Sequence, residues 1–159
     1  MSIANTITQL QALHAAIDGI RSTPTVYPGS INTAQLPLVI VWPSRGITRQ
    51  LTSSGIRTAG GGSPVVKTER VYSARVFVEA IGQNDYDTPA QRGIELLDLF
   101  VATYFSSNIL ADGLTEIINV QDTGLMAGGD YVAQAGLSYA GTAYKGFICN
   151  VTVLEVCEV

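Results

Sequence analysis

The side chains able to do covalent or metal chemistry are few in this sequence, and they stand far apart. The one histidine, His14, lies in a run where Ile3, Ile7, Leu10, His14 and Ile17 recur at steps of three and four, the period of one helical face. A histidine in such a stripe reads as a core or interface residue rather than a general base. The two cysteines, Cys149 and Cys157, fall in one alternating segment. At ~3.4 Å per residue a strand would hold their Cα atoms roughly 27 Å apart, far beyond disulfide reach. They are expected to be free thiols, as suits a reducing cytoplasm. Without a second histidine, and with no orienting motif near either thiol, neither a zinc site nor a Cys-His nucleophile is indicated.

Two further features invite chemistry and decline it. Ala59-Gly60-Gly61-Gly62-Ser63 is rich in glycine, but no Lys-Ser/Thr follows it and no G-x-G-x-x-G precedes a helix. The run reads as a flexible tip. Asp85 and Asp87 come just before Thr88-Pro89-Ala90-Gln91, which has a capping hydroxyl, Pro at the first helical position and Gln where a capping box needs it. The two carboxylates suit the positive end of that helix and have no metal partner in view. The expectation is a protein without catalytic residues, cofactor or metal.

Around these residues the elements can be laid out. The helical run at the start, capped by Ser2 or Asn5, ends at Gly19 and Pro24, and an extended connection follows over 23–35. Leu36-Pro37-Leu38-Val39-Ile40-Val41-Trp42 is a buried strand closed by Pro43, with Pro37 tolerated only at its start. Tyr72, Ala74, Val76, Val78 and Ala80 share one face of another strand, so 47–80 reads as a long hairpin. The Thr88 helix carries Ile94, Leu97, Val101 and Tyr104 as its apolar stripe, widened by Phe100 and Phe105. Strands are expected over 114–120, near Tyr131 and Tyr139, and most clearly over 147–157, where Phe147, Cys149, Val151, Val153 and Cys157 occupy one face. The sum is one α+β domain spanning 1–159, a mainly antiparallel sheet packed with two α-helices.

Composition narrows the class. Of 159 residues only 14% are charged, against roughly 25% in an average soluble domain, so part of the surface is expected to be covered by neighbouring subunits. No apolar stretch approaches the ~20 residues of a membrane-spanning helix, and the basic start of a signal peptide is missing. The charges are also unevenly placed. Residues 45–75 hold Arg45, Arg49, Arg57, Lys67, Arg70 and Arg75 against Glu69 alone, a net +5 that leaves −9 elsewhere to reach the total of −4. That is a basic arm on an acidic body, suited to docking on a like subunit or a partner ring. Arg45, Arg49, Arg57, Lys67 and Arg70 are the candidate docking residues. Nucleic-acid binding fits less well, since the arm lacks interleaved aromatics.

The order of these elements resembles a known family. The first helix leads through Val26-Tyr27-Pro28 into Leu36-Pro37-Leu38-Val39-Ile40-Val41, a hairpin with a glycine tip follows, then the Thr88-Pro89 helix, and the chain closes on Tyr144-Lys145-Gly146-Phe147-Ile148-Cys149-Asn150-Val151-Thr152-Val153. This pattern is similar to the tail-terminator and tail-completion (neck) proteins of long-tailed bacteriophages. The resemblance implies a virion protein assembled in the host cytoplasm. It implies a hexameric ring on the tail tube that meets the head connector, with DNA passing through it and no active site. Head-closure adaptors and tail-tube or baseplate subunits are the neighbouring alternatives. A small bacterial enzyme or ligand-binding module is the alternative of another class.

Overall fold

A computed structural model describes residues 3–48, 65–81, 88–126 and 137–158. In chain order the elements are α1 (Ile3–Ala15), a single 3-10 turn (Thr33–Gln35), β1 (Leu38–Thr48), β2 (Val65–Ala80), α2 (Thr88–Ser106), β3 (Glu116–Asp122), β4 (Leu137–Tyr139) and β5 (Thr142–Glu158). The sheet runs β1-β2-β5-β3, every neighbouring pair antiparallel, with β4 pairing a further part of β5. The α+β arrangement expected from the sequence is therefore the observed one.

Period-two alternation decides what each face of the sheet buries. Val39 and Val41 of β1, Tyr72, Ala74 and Val76 of β2, and Phe147, Cys149, Val151 and Val153 of β5 all turn to the side covered by the helices. There they meet Leu10 of α1 and Leu96, Phe100 and Tyr104 of α2. The opposite face is covered only in part. Leu38, Ile40 and Phe77 pack with Leu36, Leu137 and Tyr144 in a second, smaller cluster. Tyr139 fastens that layer by donating its hydroxyl proton to the Pro28 carbonyl. Gly146 lies so close to β2 that a Cβ there would stand 1.9 Å from the Val76 carbonyl oxygen, which explains a glycine inside a central strand.

Several boundaries differ from the sequence expectation. Pro43 does not close β1. The strand continues to Thr48 across a bulge between Pro43 and Arg45, because β1 is an edge strand and a missing N–H there breaks no ladder bond. The hairpin accordingly begins at Leu38, and β5 accompanies β2 down to Val65, opposite Glu158. The connection over 23–35 includes the 3-10 turn, held by a capping box between Asn32 and Gln35. Just before that connection Ser22 bridges Leu38, the first residue of β1. Both helices keep the centre of their predicted stripes, with Leu10, His14 and Ile17 buried at the first and Phe100 and Tyr104 at the second, and differ at the margins. In α1 the buried residues are Thr6, Leu10, Gln11 and His14, while Ile3 is exposed. In α2 Leu96, Phe100 and Tyr104 are buried, and Ile94 and Phe105 face outward. The glycine run 59–63, the pair Asp85 and Asp87, and the strand expected near Tyr131 lie outside the described residues.

Candidate docking surface

The interior polar groups are bonded to one another. His14 is fully buried, with Nδ1 2.9 Å from Gln11 Oε1 and Nε2 2.5 Å from the Tyr104 hydroxyl. The amide of Gln11 gives both its protons to carbonyls, of Pro24 and Val39, so its Oε1 can only accept. Hence His14 Nδ1 carries the proton and Nε2 accepts from Tyr104. Burial lowers its pKa to about 3. The ring is a neutral bridge between α1 and α2, consistent with the structural role expected from its place in the stripe. Cys149 is buried as a free thiol, and burial, with a lesser push from the Asp122 carboxylate, raises its pKa to about 12. A thiol so held is a poor nucleophile at neutral pH. Cys157 follows on the same strand, opposite Val66.

A second interior site was not anticipated. Glu155 is only 3% exposed, and its Oε1 accepts from Thr6 Oγ1 at 2.9 Å and from the Tyr72 hydroxyl at 2.5 Å. Burial and this bond to a carboxylate together hold the Tyr72 phenol above its ordinary range. The Arg70 guanidinium, lying over Gly46, brings Nε to 3.9 Å from Glu155 Oε2, close enough for charge attraction and too long for a hydrogen bond. The sequence did hold a signal: Glu155 falls between Val153 and Cys157 on the inward parity of the last strand. An acid there must find partners or unfold the site.

The five candidate docking residues therefore separate. Arg45 is exposed, just after the β1 bulge and opposite Val71. Lys67 is half-buried on β2, opposite Val156. Arg70 turns toward the helix side of the sheet and the buried carboxylate. Arg49 and Arg57 lie outside the described residues. Arg75, not among the five, is exposed on β2 opposite Ile40. Near it Tyr27 packs edge-on against Trp42, ring centroids 4.8 Å apart. So the fold supplies aromatic neighbours that the linear order of the arm lacks, brought in from the connection before β1 and from β1 itself.

Ile3, Val26, Ile81, Ile94 and Leu99 are further exposed apolar side chains spread along the chain, while four others fall in one stretch of it. Phe105 is 73% exposed, Ile109 58%, Leu114 56% and Ile118 45%, along the chain that leads from α2 into β3. Among the described residues no three His, Cys, Asp or Glu side chains are placed to share a metal ion, and no helix is long and apolar enough to cross a membrane. Comparison with protein-family models and with curated proteins finds no match to this chain. What the surface offers chemically is exposed aromatic and aliphatic groups.

Proposed function

We propose that this chain is a structural virion protein that assembles into a ring, caps a phage tail tube and joins tail to head. The observation that carries the proposal is the exposed apolar series from Phe105 to Ile118 on a protein with few charges to keep it apart from its neighbours. Isolated exposed hydrophobics are ordinary, but a series concentrated beside one sheet edge marks an interaction surface. The resemblance in element order to tail terminators supplies the kind of assembly. A ring suits the task because a head-to-tail contact that closes on itself leaves no free end, and so stops a stack that would otherwise lengthen.

The test is a phage from which this gene has been removed, viewed by electron microscopy. Tails of irregular, excessive length beside unattached heads are expected. Normal-length tails joined to heads would refute the proposal. Normal-length tails without heads would refute the cap and assign the protein to head closure instead.

A further inference from the structure

The two edges of the sheet carry opposite charge. From Leu38 to Thr48 the β1 edge includes Arg45 and no acid, and the adjoining strand exposes both Arg75 and Glu79. Residues 108–126, which contain the β3 edge, include Asp112, Glu116 and Asp122 and no lysine or arginine. Glu116 and Asp122 are exposed. Each edge also exposes large apolar groups: Trp42, with Tyr27 against it, at β1, and Ile109 and Ile118 at β3. Pairing along both edges is slight among the described residues. Ser22 bridges β1 at Leu38 and accepts from the Val39 N–H, and Ile109 bridges β3 at Glu116 while the Asn108 carbonyl accepts from the Ile117 N–H, so both contacts sit at one end of their strand.

We propose that these edges are the two halves of one interface between copies of this chain. The β1 edge of one copy, through Trp42, Arg45 and Arg75, sits against the β3 edge of the next, through Ile118, Glu116 and Asp122. This deepens the ring reading above and rests on it. Three features favour a second copy as the occupant. The charges are complementary, which steers and orients docking. The apolar groups on both edges lose water together. The strand count also fits. Three antiparallel steps separate β1 from β3, so these strands run in opposite directions. A copy placed edge to edge continues the alternation of the sheet. A two-fold dimer through either edge would instead set an edge against one of its own charge, so the charges favour a head-to-tail contact.

The experiment is native mass spectrometry and sedimentation velocity on the full chain, with Arg45→Glu, Glu116→Arg and the two combined. Each single variant should need about tenfold or more protein to half-assemble, the effect of one like-charge contact. Far-ultraviolet circular dichroism should stay unchanged, since both side chains are exposed. The combined variant, in which the charges have exchanged edges, should recover most of the assembly. Rings that persist in both single variants would overturn the edge pairing and leave the ring itself standing. So would single variants that dissociate without recovery on combination. A wild-type chain that stays monomeric at ~100 µM, some hundredfold above a micromolar Kd, would overturn both.

Discussion

His14 gives the sharpest handle on the interior because it is the one histidine in the chain. Its ring is neutral when folded, with a pKa of about 3, whereas in the unfolded chain it titrates at 6.5. Between these values the unfolded state binds a proton that the folded state refuses, so stability rises with pH. The stabilisation is therefore complete above pH 6.5 and is lost as pH falls toward 3. The limiting slope is about 1.4 kcal/mol per pH unit. From pH 7 to pH 5 the two-state linkage relation gives a loss of about 2 kcal/mol. Urea denaturation of the wild type and of His14→Gln at both pH values measures it. The variant will itself be less stable, by about 1–3 kcal/mol, because Tyr104 and Gln11 lose a partner. That offset cancels when each protein is compared with itself. The wild type should lose about 2 kcal/mol more than the variant on acidification. Equal losses would refute the assignment of His14 as a buried, neutral bridge.

Two glycines separate packing from backbone freedom. Gly146→Ala should prevent soluble expression or cost more than ~3 kcal/mol, through forced overlap of its Cβ with the Val76 carbonyl. Gly29→Ala, with nothing within 4 Å of the new Cβ, should lie within about 0.5 kcal/mol of wild type by thermal melting. A tolerated Gly146→Ala would mean that the β2–β5 pairing is not as close as described. Cys149 should resist alkylation in the native protein at pH 8 and react fully in 6–8 M urea, as peptide mass spectrometry would read; rapid native labelling would contradict its burial.

How much of this was legible in the sequence follows from which signals are local. Alternation named Tyr72, Ala74, Val76 and Val78 of β2 and Phe147, Cys149, Val151 and Val153 of β5 as inward, because both strands pack one face on the helices; Ala80 instead joins the second cluster, past the register shift between Phe77 and Glu79. The capping sequence at Thr88 likewise fixed the start of α2. The helix stripes were read rightly at Leu10, His14, Phe100 and Tyr104 and wrongly at their margins, because apolar content was the guide. In α1, Thr6, Gln11 and His14 are inside since each has a buried partner supplied from elsewhere, Glu155, Val39 and Tyr104. In α2, Ile94 and Phe105 are outside. Pro43 was read as a stop since its tolerance depends on β1 being an edge, which is a property of the assembled sheet. The docking residues were chosen by charge alone. The fold then divided them, giving Arg70 to an internal carboxylate and leaving Arg45 exposed, while Arg75, outside the chosen set, stands near Tyr27.

The seat of Glu155 has a consequence for how the protein is made. Thr6 and Glu155 are 149 residues apart, and the carboxylate that Thr6 and Tyr72 require arrives on β5, the strand lying between β2 and β3. At ~5–20 residues per second a ribosome needs on the order of 10 s to connect the two. Through that interval the first helix has no polar seat, and β2 and β3 each lack their shared neighbour. Nascent chains on one messenger therefore present open strand edges to each other before any of them can close its own sheet. A polypeptide that ends before Phe147 carries those open edges permanently. Synthesis thus leaves the chain most adhesive just before its end, and completion of β5 is the event that closes the sheet.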